Sequence, residues 1–401
     1  MIVRRFLLWA RDASPGQRAE GVSALARAFL TSDLTADERR EAGAAMTLML
    51  DDPSPLVRRA LAEVLAGATD APRHLVTALA ADRSDIAALV LSHSPVLTDP
   101  DLVDAAALGD DVVRSAVAGR PSLSVGVSAA MAEVAGPDAL SRLVANPGAA
   151  IAEASFARMV ERHGSHGRLR EAMLARADLP LAIRQSIAAA LADTLSQFVV
   201  GCGWLSSARA SRAAGEARER ATVALSSAAG SGEVEPLVDH LRRSGQLTPA
   251  LLLRALLSRN LPFVEAALSQ LSGMPPARVS GVLHDRRGAG FAALYRRAGL
   301  PDALRPAFEA AASALRETGR DEGPTGARLS RRMIERTLTA CDALSPAEAG
   351  RLMALLRRYE IEAARDEARD LAAELAEEAA AVEAVRRMAL LSGPERFRDA
   401  A

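Results

Sequence analysis

The chain has 401 residues, 49 Lys+Arg against 50 Asp+Glu for a net charge of -1, only 3% aromatic residues, and two cysteines. Every one of the 49 basic residues is an arginine, which excludes Schiff-base and P-loop lysine chemistry, and the balanced charge lacks the basic excess usual for a long nucleic-acid surface. About a fifth of the residues are alanine, which favours closely packed helices over sheets.

The start, from Met1 to Asp12, holds an apolar run that Arg11 ends, too short for an export signal. The most apolar interior run, near Leu195 to Leu205, also falls short of the roughly 18 to 20 residues that span a bilayer. Cys202 and Cys341 are too few and too far apart for a metal knuckle or a disulfide framework, which fits a reducing compartment. The expectation is a soluble cytoplasmic protein with no membrane insertion and no cofactor.

A phrase then recurs. It reads Asp52-Pro53-x-x-x-Val57-Arg58-x-Ala60-Leu61, returns loosely around Asp82 to Val90 and Asp110 to Val117, and again as Asn146-Pro147 to Ser155 and Asp178 to Ile187. Anchored on Val57, Ile86, Val113, Ile151 and Ile183, the copies recur roughly every thirty residues, the signature of a helical repeat array. The predicted fold is all-α, a HEAT-like α-solenoid of stacked helical hairpins with a C-terminal helical extension. Ser14-Pro15-Gly16-Gln17, Thr35-Ala36-Asp37-Glu38 and Ser345-Pro346-Ala347-Glu348 have capping-box form, and Ser54-Pro55 and Thr248-Pro249 the simpler version. Within a copy, an Asp at the turn and an Arg six residues on are expected to pair between neighbouring units, as Asp52 with Arg58 and Asp178 with Arg184. Ala87 and Ala152 interrupt that ladder.

Residues 1–195 hold the repeats. Phe198 to Leu205, an aromatic segment with paired glycines, marks a join, and an arginine-rich surface helix follows, with Arg209, Arg212, Arg218 and Arg220. Leu251 to Leu257 reads as a buried helix, and Phe263–Leu271, Ala277–Leu283 and Gly290–Ala298 as short ones, so residues 196–316 continue the array in divergent form. Residues 317–327, rich in glycine, are a linker. Residues 328–401 form a helix and then a long acidic one with an apolar stripe through Leu371, Leu375, Ala379, Val382, Val385 and Ala389. Self-association through residues 345–391 is one use for that stripe.

Candidate chemistry is thin. His163 and His166 lack further ligands, and their flanking Gly164 and Gly167 point to a turn. There is no Gly-x-Ser-x-Gly elbow and no dinucleotide fingerprint. The most unusual polar patch is His284-Asp285-Arg286-Arg287, bounded by Gly288, which as a turn at a helix start suits an anion; with Tyr295 it is a candidate enzyme pocket. The competing reading is a capped turn with Asp285 held by its own backbone.

Several of these segments carry a resemblance. Asp52 to Glu63, Val90 to Leu97, Gly203-Trp204-Leu205, Leu251 to Arg259, Phe263 to Leu271, His284-Asp285 and Leu294 to Pro301 resemble an alphaproteobacterial family of HEAT-like repeat proteins, the domain-of-unknown-function 2336 family, over roughly residues 1–315. The resemblance implies a bacterial helical-repeat protein and brings no catalytic residues.

The leading functional expectation is a non-enzymatic scaffold or adaptor, with a regulatory role open to it, that binds a protein on the surface of its array. The alternative is a nucleic-acid binder with Arg58, Arg59, Arg114, Arg184 and the arginines from Arg209 to Arg220 on one face. A small site at His284, Asp285, Arg286 and Tyr295 is the third.

Overall fold

The computed structural model describes residues 2–230, 232–285, 287–288, 290–318, 327–341 and 346–391. Its regular elements are helices, joined by one isolated parallel bridge between Leu123 and Ala149. The all-α class read from composition is what the structure shows, with helices packed in adjacent pairs as in an α-solenoid. Among the described residues no helix is long and apolar enough to cross a membrane. The chain divides into two compact units, residues 1–207 and 208–401, close to the join marked by Phe198 to Leu205.

The first unit runs α1 (Ile2–Ala10), α2 (Pro15–Thr31), α3 (Ala36–Met49), α4 (Pro55–Leu65), α5 (Arg73–Ala80), α6 (Ser84–His93), α7 (Asp99–Leu108), α8 (Asp111–Ala118), α9 (Val125–Val134), α10 (Pro137–Ala145), α11 (Glu153–His163), α12 (Gly167–Ala175) and α13 (Leu181–Gly201). Helices two places apart in the chain lie side by side: α2, α4, α6, α8, α10 and α12 follow one another in one layer, and α7, α9, α11 and α13 in a second. One apolar cluster from Ala19 to Ile187 runs between them. Small residues such as Ala62, Ala87 and Ala132 sit in that cluster, so neighbouring helices approach closely and each new hairpin extends the same core.

Four of the five repeat anchors, Val57, Ile86, Val113 and Ile183, are buried on helices. Ile151 is not: it lies in the loop before α11, and Phe156 takes the core position. That loop carries the β-bridge, where Leu123 N–H donates to Gly148 O and Ala150 N–H to Leu123 O, both at 3.0 Å. Gly148 is required there, since a Cβ would come within 1.9 Å of Pro121 O.

Capping explains most of the helix starts. Ser14 with Gln17 and Thr35 with Glu38 form reciprocal boxes, and Thr98 with Asp101 adds one the sequence reading passed over. Ser54 departs from expectation: its hydroxyl makes no cap bond, and Asp52 instead accepts from Ser54 N–H at 2.8 Å. The Ser345 box and the centre of the 317–327 linker lie outside the described residues.

The second unit holds α14 (Ser207–Ser227), α15 (Val234–Arg243), α16 (Pro249–Leu257), α17 (Leu261–Ser272), α18 (Pro276–His284), α19 (Phe291–Arg297), a 3-10 turn (Asp302–Leu304), α20 (Arg305–Thr318), α21 (Ala327–Cys341) and α22 (Pro346–Leu391). Helix α16 is buried all round from Leu251 to Leu257, as its unbroken apolar run requires. Thr248 caps it, accepting from Leu251 N–H at 3.1 Å. Helices α20, α21 and α22 pack in sequence, and both α20 and α21 also touch α16. The C-terminal helices therefore share one compact unit with α14 to α20.

Candidate functional site

The repeat arginines are engaged with the fold. Arg58 donates to Asp82 of the next copy at 2.6 and 3.0 Å, and to the Asp52 carbonyl at 2.6 Å. Asp52 in turn receives Arg18 at 2.7 and 2.9 Å. The pairing between neighbouring units expected of Arg58 is thus present, and it begins one unit earlier than the sequence reading placed it. The missed signal is the stretch Asp12-Ala13-Ser14-Pro15 to Arg18, which repeats Asp52-Pro53-Ser54-Pro55 to Arg58 at the same spacing. The Arg18 hydrogen bond holds the Asp52 carboxyl below its ordinary range against the opposing effect of burial.

At the far end the expected pair does not form. Asp178 is bound by Arg176, two residues away, at 2.7 and 2.8 Å, and Arg184 donates to the carbonyls of Arg176 and Leu179 at 2.9 and 3.3 Å. The link to the preceding unit passes to Arg176, which reaches Val144 O and Asn146 O at 3.0 and 3.1 Å. In the middle copies buried Arg120 holds Leu91 O and Ser94 O, and Asn146 holds Ala118 O and Arg120 O. Where the Asp–Arg ladder lapses, side chains that bind carbonyls replace it. Arg59 pairs with Glu63 at 3.0 Å, and Arg114 donates to Ala106 O at 2.9 Å with Asp111 at 3.7 Å.

The described residues of the His284 turn are held by local bonds. His284 is half exposed and its Nδ1 lies 2.9 Å from Ser280 O, one turn back. Asp285 accepts from Arg287 N–H at 3.2 Å, the local cap anticipated by the competing reading. Arg287 is exposed, and Arg286 lies outside the described residues. Tyr295 is 1% exposed, packed against Phe291 and Phe308, and donates its hydroxyl to Pro301 O at 2.6 Å. Burial pushes that phenol up to about 12. Tyr295 is a core residue of α19. Among the described residues no group of three His, Cys, Asp or Glu side chains has metal-binding geometry.

The densest polar constellation lies elsewhere in the second unit. Helix α14 presents Glu216, Glu219 and Arg220 one turn apart, and α22 answers with Arg358, Tyr359 and Glu362. Arg358 meets Glu216 at 2.6 Å and Arg220 meets Glu362 at 2.9 Å, two complementary pairs that set the register of one helix on the other. Between them lies Arg254 of α16, 7% exposed, bonded to Glu362, 3.7 Å from Glu219, and stacked on the Tyr359 ring at 4.1 Å. Tyr359 donates to Ala250 O at 3.2 Å. Burial raises the Glu219 carboxyl; burial acts the same way on Glu362, where the hydrogen bonds and charges of Arg254 and Arg220 together outweigh it and lower the carboxyl. Arg220, expected on a surface helix, is thus tied to α22, and Arg254 is not conspicuous in the sequence because one arginine in an apolar run gives no hint of its partners.

Beyond this network α22 is accompanied by α21, whose Arg331 meets Glu367 at 3.0 Å and whose Arg328 lies 3.9 Å from Glu374. Leu352, Leu356, Tyr359 and Ala363 are buried, whereas every residue from Ala368 to Met388 is exposed, including Leu371, Leu375, Val382, Val385 and Met388. The first unit has its own apolar surface at the end of α13, where Leu195, Phe198 and Trp204 are exposed and the two rings meet edge to face at 5.7 Å.

No curated protein and no solved structure matches the chain. The model of a family described as uncharacterised proteins conserved in bacteria, DUF2336, matches residues 86–346, more than half of the sequence. The matched stretch starts later than the resemblance suggested, so the Asp52 to Glu63 phrase lies before it, and it reaches on through α21 to the first residue of α22. It takes in α14, α16 and the segments from Val90 to Pro301 that carried the resemblance. The chain belongs to the DUF2336 family of bacterial proteins.

Proposed function

We propose that the protein is a non-enzymatic interaction adaptor that binds a partner protein through the distal part of α22. The observation that supports this reading is the stretch from Ala368 to Met388, whose residues are all exposed and which carries an apolar stripe through Leu371, Leu375, Val382 and Val385. A lone helix of that length is marginal in water, and its stability comes from burying an apolar face. Leu371, Leu375, Val382 and Val385 are spaced as anchors for a groove that accepts a helix. The first half of α22, fixed by its ion pairs and by Tyr359, is the handle that holds this stripe out.

The nucleic-acid reading finds less support. Arg58 and Arg59 are held by carboxylates of the protein itself, Arg114 by a carboxylate and a carbonyl, and Arg184 by carbonyls.

The test is in-cell crosslinking of the tagged full chain and of a Leu375→Asp/Val382→Asp variant, with nuclease treatment of both. The expected result is a stoichiometric protein partner that survives nuclease and falls at least tenfold in the variant, whose exposed substitutions leave the helical circular dichroism unchanged. Equal recovery with both chains, or recovery that nuclease abolishes, would count against the adaptor.

A further inference from the structure

Helices α17, α18 and α19 pack on one another and leave a cavity of about 370 Å³ along α18 and α19. That is the volume of roughly twelve liquid waters, at the lower end of the sizes usual for small-molecule sites.

The cavity has two unlike ends. At one, Gly290 lies against Val282, where a Cβ on the glycine would stand 3.2 Å from a Val282 γ-carbon. At the other, Arg297 in the last turn of α19 donates Nε–H at 2.7 Å to Ser272 O, just ahead of α18. The two helices therefore run in opposite directions along the cavity, which brings Arg297 to the same end as Arg278 in the first turn of α18. Val282 and Ala293 line it one helical turn further on from each arginine, and buried Leu294 completes that apolar surface.

Both arginines are exposed, so their guanidiniums are open to solvent at the cavity's edge. Arg278 has no bonded partner among the described residues, and Arg297 spends only its Nε on Ser272. Local charge is one-sided as well. From Gly273 to Leu300 the chain carries Arg278, Arg286, Arg287, Arg296 and Arg297 against a single acid, Asp285. Asp285 is at the turn, where it accepts from Arg287 N–H, and it does not line the cavity. Two uncompensated guanidinium forks suit an oxyanion. The apolar surface beyond them favours an oxyanion that carries a hydrocarbon chain.

We propose that this cavity binds an aliphatic oxyanion, its carboxylate or phosphate head held by Arg278 and Arg297 and its chain lying on Val282, Ala293 and Leu294. The lining comes from residues 273–297 alone, so the site is separate from the exposed half of α22.

Calorimetric titration of the full chain tests this with octanoate and octyl phosphate, with acetate as the head without the chain and octan-1-ol as the chain without the charge. The expected result is saturable binding of at least one octyl oxyanion with Kd near or below ~1 mM, and about tenfold or more weaker binding of acetate and of octan-1-ol. Whichever octyl oxyanion binds tighter identifies the head. Arg278→Gln removes a guanidinium with no bond in the fold, so circular dichroism and melting temperature should hold while the oxyanion weakens about fivefold or more. Ala293→Glu, at an exposed helical position, sets a carboxylate in the lining and should weaken it by as much. No saturable heat from either octyl oxyanion would overturn the proposal. Acetate or octan-1-ol binding as tightly as octanoate and octyl phosphate, or undiminished binding by both variants, would overturn it as well.

Discussion

Arg18, Arg58 and Arg176 each bind a carboxylate with one edge of the guanidinium and a backbone carbonyl with another. This double use suits arginine, whose planar fork offers several fixed donors, and lysine could not replace it. The carboxylate side has a pH signature. Asp52 is depressed chiefly by the Arg18 hydrogen bond, and Asp82 is depressed as well, burial there being outweighed by Arg58 together with the backbone N–H and charge of Arg83. A carboxyl lowered by folding adds stability above its unfolded pKa, and that stability disappears as the pH falls through the folded value. The first unit should therefore be at full strength near neutrality and lose stability below about pH 4. In Asp52→Asn this acid-dependent part should shrink, with a shallower loss of the chemical-denaturation midpoint between pH 5 and pH 2. An unchanged acid profile would show that Asp52 is not a source of it. Of this ladder, Arg58 was legible in the sequence because its motif is local. Arg120 and Arg176 were not, since a carbonyl acceptor exists at every residue and leaves no trace in the side-chain alphabet.

At the scale of elements, the long C-terminal helix was readable as a helix because Ala, Glu, Leu and Arg dominate it. Its division into a docked and an exposed half was not readable, since the apolar spacing continues through both halves. The division comes from Tyr359 and Glu362, which meet Arg254 some hundred residues earlier in the chain. Removing the Glu362 charge leaves Arg254 buried with Glu219 as its remaining acid, so Glu362→Gln should destabilise the second unit by about 3 kcal/mol. Replacing both members by apolar residues, as Arg254→Met/Glu362→Leu, should recover most of that loss in urea unfolding, because the desolvation cost goes with the charges. A double variant no better than the single one would show that the pair carries net stability itself. The His284 turn teaches the opposite lesson. Its residues were conspicuous in sequence, yet Asp285 and His284 bind local backbone and Tyr295 belongs to the core.

For the molecule as a whole, repeat spacing revealed the architecture of the first unit more fully than that of the second. Val57, Ile86, Val113 and Ile183 recur in phase with the core, so the period itself encodes the stacking. In the second unit the helices were visible through Thr248, Pro249 and the apolar runs, but no recurring phrase tied α14 and α16 to α22. The match to a bacterial family covers residues of both units and stops where α22 begins, so the element proposed to meet a partner lies just past it.

In the first unit, guanidinium and amide groups stitch each hairpin to the one before it: Arg18 to Asp52, Arg58 to Asp82, Arg120 to Leu91 and Ser94, Asn146 to Ala118, Arg176 to Val144. These stitches are spread along the stack, one set for each hairpin. Pulled from its ends, such an assembly should behave as a row of weak clasps in series. An optical trap holding residues 1–207 should record successive small lengthenings, each of roughly 100 Å for about thirty residues of extended chain, and the extension should reverse hairpin by hairpin on slackening. One abrupt rupture of the whole unit would show that its turns share their tension instead of yielding in order.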